Sequence, residues 1–214
     1  MSIHHHPSDA LLLDYASGNT GPAAELAVAS HLTFCPHCRR TNQLLDSIGG
    51  HLIAEIADPP PVSVTPEKIM THVRALSLPS SPPTPKNTIL PAPLRHILGG
   101  DVEGLHWKRL GMGAFHYVIP IEDPNAKARL LRIPAGRPVP VHTHRGTELT
   151  LVLSGAFSDA TGVFVRGDLQ EADDSLVHQP HAAAGEDCIC LAVTEGPLRF
   201  KSWPARLVQP FLGI

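Results

Sequence analysis

The stretch that decides the fold of most of this chain runs from Gly136 to Gly155 and reads GRPVPVHTHRGTELTLVLSG. Its spacing is G-x5-H-x-H-x3-E-x6-G, in which His142, His144 and Glu148 are separated by even numbers of residues. Because successive side chains of a strand point to opposite faces, these three share one face of an extended chain. Such ligands inside a small barrel favour a divalent transition metal. Surface histidines on an edge strand are the alternative, which leaves the regular spacing unexplained.

A second segment, GDLQEADDSLVH from Gly167 to His178, supplies a further histidine. His178 completes a set of three imidazoles and one carboxylate, which leaves zinc, iron, manganese and nickel open as the bound ion. Around both segments, short runs that favour strands alternate with turn residues, from LHWKRL at 105–110 to LRFKSW at 198–203. This regular spacing predicts an all-β sandwich or jelly-roll barrel over residues 95–205.

Proline divides the chain into two parts. Ten of the 22 prolines lie between Pro59 and Pro93, and the densest part is residues 78–94, LPSSPPTPKNTILPAPL. Because proline lacks an N–H and restrains its neighbours, we expect neither helix nor central strand there and interpret the segment as a semi-rigid linker. Residues 1–77 before it have helical periodicity and predict an all-α domain of about four helices.

The helical part carries the pattern H-x3-C-x2-C, HLTFCPHC from His31 to Cys38. On a helix, His31 and Cys35 lie on one face, and Cys38 comes near the start of the next helix, which favours its thiolate. A structural zinc ion takes four N or S ligands. His6, which Pro7 fixes more firmly than the two histidines before it, is the predicted fourth ligand. For the histidines, the alternatives are a tag remnant or a frayed terminus. For the cysteines, they are a buried reduced pair or a redox motif, although no βαβ pattern surrounds them.

Composition excludes several classes of protein. The 17 basic and 20 acidic residues give a net charge of −3, which argues against direct nucleic-acid binding. No apolar run approaches the roughly 18 residues of a membrane span. The start, MSIHHHPSD, lacks a basic segment followed by an apolar one, so we expect no export and a cytoplasmic location. No glycine-rich phosphate loop indicates nucleotide chemistry.

These motifs carry a family resemblance. The stretch from Gly136 to Gly155 matches the first motif of the cupins, and residues 167–178 resemble their second. The second motif departs at Asp173 and Ser175, where proline and glycine are usual, and at Ala182, where asparagine is usual. Upstream, HHHPSDALLLDYASG followed by H-x3-C-x2-C resembles the zinc-binding anti-sigma domain. Both, in this order and across nearly the whole chain, are similar to the ChrR-type anti-sigma factors.

The resemblance implies a helical domain that binds and inhibits an extracytoplasmic-function sigma factor. It also implies a cupin-like domain needed for the response to singlet oxygen or related oxidants. By resemblance, the structural zinc ligands are His6, His31, Cys35 and Cys38, and the ligands of zinc or another divalent transition metal in the barrel are His142, His144, Glu148 and His178. The predicted sigma contact is an apolar stripe on the last helix, made of Ile69, Met70, Val73 and Leu76. Completion of the helical core is the alternative for that stripe.

Two functions from different classes remain open on the residues alone. One is a regulator with a sensory metal barrel, for which no catalytic residue is predicted. The other is a dioxygenase-like cupin metalloenzyme with an accessory helical domain, whose ion keeps positions for substrate and oxygen. Cys188 and Cys190 alternate along a strand and so share one face. We expect both cysteines to be buried core residues. The alternative is that they are targets of the oxidant, as the barrel histidines also could be.

Overall fold

The computed structural model describes residues 2–56, 64–75, 88–111, 113–197 and the backbone of 199–200. Within these residues, the helical elements are α1 (Asp9–Ala16), α2 (Pro22–Phe34), α3 (Pro36–Ala54), α4 (Pro66–Ala75) and α5 (Ala92–Leu98). The first four lie where the sequence predicts helices. No helix in the described ranges has both the length and the apolar character needed to span a bilayer.

Local sequence explains where the helices begin. The Ser8 side chain accepts a hydrogen bond from the Leu11 N–H and caps α1. Pro22 and Pro36 occupy the first turns of α2 and α3, where a missing N–H costs nothing. Cys35 lies between those two helices with an extended backbone, so it ends α2 and caps α3.

The expectation that residues 78–94 contain no helix is wrong at the end of that range, because α5 begins at Ala92. Pro93 falls in the first turn of α5, the part of a helix that tolerates proline. Leu90 and Leu94 are fully buried, so this end of the segment packs as part of the core. Residues 76–87 and 201–205 lie outside the described residues, and the boundaries 1–77, 78–94 and 95–205 stay predictions.

The remainder of the described chain forms an antiparallel β-barrel, which confirms the predicted fold class. Its strands are β1 (Lys108–Gly111), β2 (Ala114–Val118), β3 (Lys127–Ile133), β4 (His142–Thr143), β5 (Glu148–Ser154), β6 (Ala156–Asp159), β7 (Gly162–Val165), β8 (Leu169–Ala172), β9 (His181–Ala182), β10 (Cys188–Thr194) and β11 (Arg199–Phe200). The sheets have the orders β1-β2-β3-β10-β5-β8, β7-β6-β9 and β11-β4.

The central strands β5 and β10 of the large sheet are buried on both faces, which explains their runs of apolar residues. On one face, Leu130, Leu151 and Leu191 lie in register on adjacent strands, within an apolar cluster that includes α2 and α5 residues. On the other face, Val152 and Cys188 pack with residues of the small sheet. The second face is the barrel interior and carries Glu148, two residues from Thr150 and four from Val152.

Helix α2 attaches the helical part to the barrel. Its buried residues Ala23, Leu26 and Ala27 belong to the same apolar cluster as the large sheet. The N-cap of α2 is Gly21, which has no side chain to cap the helix. Instead, Oδ2 of Asp123, from the loop after β2, accepts the Ala23 N–H at 3.0 Å. The two parts of the chain therefore share one core rather than meeting only through a linker.

Candidate metal centres

Two groups of four potential ligands come together in the structure. In the first, His6 lies ahead of α1, His31 lies in the last turn of α2, Cys35 lies between α2 and α3, and Cys38 lies in the first turn of α3. Nδ1 of His6 is 3.4 Å from Sγ of Cys35 and 3.3 Å from Sγ of Cys38. One ligand atom from each of the four residues lies within 4.8 Å of all the others. This spread suits ligands bonded at roughly 2.0 to 2.3 Å to one ion.

The turn between α2 and α3 holds the two cysteines. Sγ of Cys35 accepts the Cys38 N–H at 3.4 Å, as a side-chain cap does at the start of a helix. Both cysteines are buried, each with 1% of the residue exposed, whereas His6 lies at the surface. The cysteines pack against Leu12 and Val28, so the candidate centre is itself part of the small core of the helical part.

Burial dominates the electrostatics of the first group. Burial lowers the pKa of His31 to about 4, and its Nε2 has no hydrogen-bond partner among the described residues. Burial, followed by the hydrogen bond with Cys35, raises the pKa of Cys38 to about 12. In the chain without an ion, desolvation therefore opposes the Cys38 thiolate that the start of α3 is expected to favour. A neutral imidazole with an orphaned nitrogen beside buried sulfurs fits a thiophilic cation such as zinc, which displaces the thiol protons.

The second group lies inside the barrel. His142 belongs to β4, His144 follows that strand, and Glu148 begins β5. His178 pairs with His142 in an isolated bridge, one of several backbone contacts that join the two segments. The two Nε2 atoms of His142 and His178 are 3.1 Å apart, and Nε2 of His144 lies 2.8 Å from Oε2 of Glu148. All four residues are buried, and one ligand atom from each lies within 4.8 Å of the others.

Outer hydrogen bonds aim the three histidines at a common point. Nδ1 of His142 lies 2.8 Å from the carbonyl oxygen of Pro140, and Nδ1 of His144 lies 3.3 Å from that of Asp173. Since a carbonyl only accepts, both Nδ1 atoms carry a proton, which leaves the Nε2 atoms on the inward side, that of His144 against Glu148. Nδ1 of His178 lies 2.6 Å from Oδ2 of Asp159, which fixes the same tautomer. Metal-ligating histidines are held in this way, so the donor set fits a divalent cation.

Charge in the barrel interior is arranged to keep Glu148 ionised. Burial raises the pKa of Glu148, but the hydrogen bond and charge of His144 outweigh it and leave the pKa lowered. Burial lowers the pKa of His144, but the hydrogen bond and charge of Glu148 outweigh it and leave that pKa raised, so a cation bound here would displace the proton between the two side chains. Burial lowers the pKa of His142, which favours the neutral imidazole that binds metal. Asp159 has a pKa of about 2, because hydrogen bonds from Thr161, Gln170 and His178 overcome the effect of burial.

Departures from the second cupin motif affect a turn. Oδ1 of Asp173 accepts hydrogen bonds from both the N–H and the hydroxyl of Ser175, and this side-chain interaction closes the turn that proline and glycine form elsewhere. The Asp173 carbonyl still reaches His144. Ala182 is buried in the small sheet and pairs with Phe157.

Cys188 and Cys190 both lie on β10 with free, buried thiols. The hydrogen bond with Cys188, followed by burial, raises the pKa of Cys190 well above its usual value. Two buried thiols in contact inside the barrel fit the core interpretation of this pair.

The predicted partner-binding stripe is exposed where it is described. Ile69, Met70 and Val73 on α4 are 44–50% exposed, and Leu76 lies outside the described residues. Sequence reasoning missed that a second set of apolar side chains, from Leu44 to Ile56 on α3 and just after it, is exposed. Helical periodicity indicates an apolar face but does not show what covers it. It also missed Asp159, since nothing in the sequence indicates that an aspartate at the end of β6 reaches a histidine 19 residues later.

A buried three-histidine, one-glutamate group in a cupin barrel, joined to a helical module with a two-histidine, two-cysteine group, defines a protein with two candidate metal centres. Residues 98–199 match the ChrR cupin-like domain family. Over 217 aligned residues, covering all of both chains, the sequence is 45% identical to the anti-sigma-E factor ChrR of Cereibacter sphaeroides. The chain therefore belongs to the ChrR-type anti-sigma factors.

A solved structure gives the same relationship. The crystal structure of Rhodobacter sphaeroides SigE in complex with the anti-sigma factor ChrR matches with a TM-score of 0.75 and 43% identity, covering 90% of this chain and 99% of that one. The full-length relative is a regulator. Of the two functions left open by the residues, this relationship supports the anti-sigma factor, whereas sensing by the metal barrel stays a prediction.

Proposed function

We propose that this chain binds an extracytoplasmic-function sigma factor through its helical part, holds it inactive in the cytoplasm, and releases it when the barrel responds to singlet oxygen or a related oxidant. The family membership supports sigma binding, since the related ChrR was crystallised in complex with SigE. The observation in this chain that carries the proposal is an uncovered apolar surface on its helices.

That surface, here called the α3 stripe, consists of residues at helical spacing that are each 50–69% exposed: Leu44, Ile48, Leu52, Ile53 and Ile56. Soluble proteins rarely leave a contiguous apolar face of this kind in water unless a partner covers it. An amphipathic helix of this length presents its apolar face to a groove on a partner protein.

Helix α4 extends the proposed contact. No residue of α4 is buried, so its apolar side chains do not complete a core among the described residues. The exposed Ile69, Met70 and Val73, and Leu76 outside the described residues, are proposed to contact the same partner. Methionine adapts its shape readily to an apolar partner surface.

We propose zinc for the His6, His31, Cys35 and Cys38 group, because two thiolates and two imidazoles are its preferred structural ligands. The protein fills all four positions, so this ion supports the helical part. The barrel group would hold zinc or another divalent transition metal. Oxidation of a side chain in or beside the barrel group would shift the chain between states with different affinities for the sigma factor.

The proposal is tested with the full chain, a purified extracytoplasmic-function sigma factor from the same organism, and RNA polymerase. Leu52→Asp places a charge in the α3 stripe and is expected to weaken sigma binding at least tenfold and relieve inhibition of transcription. Val163→Asp is the matched control, because Val163 on β7 and Leu52 are both 62% exposed. Equal binding by the two variants and the unaltered chain would show that the stripe does not contact sigma.

A further inference from the structure

The N-terminal histidine segment lies against a turn of the barrel. This turn, here called the β8 turn, consists of Gly167, Asp168 and Leu169. The Asp168 carboxylate is fully buried, and its Oδ1 accepts the backbone N–H groups of His4 at 2.7 Å and His5 at 3.0 Å. The Leu169 N–H donates in turn to the His5 carbonyl at 3.1 Å. His4 and His5 are therefore tied to the barrel, contrary to the expectation that they are less fixed than His6.

These bonds place the first predicted zinc ligand. His6 follows the tied residues directly and precedes Pro7, whose ring restricts the backbone, so little freedom remains on either side of it. The Asp168 carboxylate is itself held in place, because its Oδ2 accepts the Val165 N–H at 2.8 Å within the barrel. Asp168 thus fixes the path of the chain into the candidate zinc site.

The same turn orients a second ligand. Nδ1 of His31 lies 2.8 Å from the Gly167 carbonyl oxygen, and this contact is buried. Because the carbonyl accepts, the proton is on Nδ1, and the orphaned Nε2 is left as a lone-pair donor facing the cysteines. Gly167 has a φ of 93°, and an added Cβ would approach the Ile3 side chain to 2.8 Å. Glycine suits this position because its positive φ, which other residues rarely adopt, directs the carbonyl toward His31 while leaving room for Ile3.

We propose that Asp168 and the Gly167 carbonyl are positioning groups for His6 and His31, so that the barrel sets the metal affinity of a site whose four ligands all lie outside it. The inference rests on the proposed zinc site. Outer hydrogen-bond partners of metal ligands change metal affinity by about 10- to 100-fold when they are removed. Here those partners belong to the β8 turn, more than 130 residues from the ligands they hold.

The test uses the full chain with the Asp168→Asn substitution. An asparagine amide cannot accept hydrogen bonds on both sides as the carboxylate does, so the bonds to His4 and His5 or the bond to Val165 are weakened. We expect the N-terminal site to bind metal 10- to 100-fold more weakly. Cobalt(II) titration against a competing chelator measures this, because cobalt–thiolate absorption bands report only the site that contains cysteine.

A matched control is Asp101→Asn. Asp101 also accepts three backbone N–H groups, from Ile89, Leu90 and Val102, but it touches neither group of ligands. Asp101→Asn is expected to keep the cobalt affinity and spectrum of the unaltered chain. Unchanged cobalt affinity in Asp168→Asn, or an equal loss in both variants, would overturn the inference.

Two further measurements keep the outcomes distinct. Asp168→Glu retains the charge but displaces the carboxylate, and it replaces Asp168→Asn as the test if that variant does not fold. We again expect weakened cobalt binding with shifted absorption bands. An unaltered cobalt affinity would contradict the inference. Absence of cobalt–thiolate bands in the unaltered chain would instead refute the zinc site itself, and the inference with it. If the unaltered chain shows the bands and the Asp168 substitutions leave the cobalt affinity unchanged, only the inference is refuted.

Discussion

Asp159→Asn tests whether the barrel group binds a metal whose affinity depends on the hydrogen bond between Asp159 and His178. The Asp159 side chain has no exposure to solvent and accepts four hydrogen bonds: from the N–H and hydroxyl of Thr161, from Nε2 of Gln170, and at 2.6 Å from Nδ1 of His178. Asparagine keeps the shape and at best the bond to His178, but it removes the charge. A hydrogen bond to a charged group contributes about 1.5–3 kcal/mol and a neutral one about 0.5–1.5 kcal/mol.

The difference, roughly 1–1.5 kcal/mol, corresponds to a loss of metal affinity in the barrel of about tenfold. The measurement is competition with a chelator of known affinity in a Cys35→Ser, Cys38→Ser background, which leaves the barrel group as the candidate site under test. Asp187→Asn serves as the control, because Asp187 also accepts bonds, from Arg132 and Ala135, but does so away from the barrel histidines. Unchanged affinity in Asp159→Asn, or a comparable loss in the control, would refute the reasoning.

Two further predictions concern stability. In the chelator-treated full chain, burial lowers the pKa of His31 from 6.5 to about 4, so the unfolded chain binds the proton first as the pH falls. The contribution of neutral His31 to the free energy of unfolding is fully present above about pH 6.5 and falls by up to ~3 kcal/mol toward pH 4. In urea unfolding, His31→Gln should therefore lack this part of the pH dependence. Gly21→Ala would place a Cβ 2.8 Å from Oδ2 of Asp123, the cap of α2. We expect Gly21→Ala to lower the stability measured by thermal unfolding by about 0.5–2 kcal/mol. Gly100→Ala, whose added Cβ has nothing within 4 Å, should be nearly neutral. A Gly21→Ala chain as stable as the Gly100→Ala chain would contradict the capping role of Asp123.

The candidate ligands were predictable because their signals are local. His142, His144 and Glu148 lie within seven residues and alternate along extended chain, and the H-x3-C-x2-C pattern spans eight residues. The helix starts were predictable for the same reason, since proline and serine act on the turn that follows them. The linker prediction failed at Ala92 because proline breaks a helix only beyond its first turn.

The properties that depend on burial were not predictable from spacing. The high pKa of Cys38 follows from desolvation, and a sequence shows the helix start beside it but not the packing around it. The same holds for the α3 stripe. Its periodicity is visible in the sequence, whereas its exposure depends on the absence, among the described residues, of a packed neighbour over that face.

By itself, the sequence determined which residue types could bind metal, which of them share a face, and the change from helical to strand periodicity along the chain. Only the tertiary structure decided that the barrel makes hydrogen bonds with the segments of the first candidate ligand group, through Asp168 at a separation of 164 residues from His4 and Gly167 at 136 residues from His31. The physical reason is that side-chain periodicity acts over one or two turns, whereas an outer-shell hydrogen bond needs only that two distant segments pack together. The docking of α2 on the large sheet, which brings those segments into contact, is a property of the shared core and has no local motif.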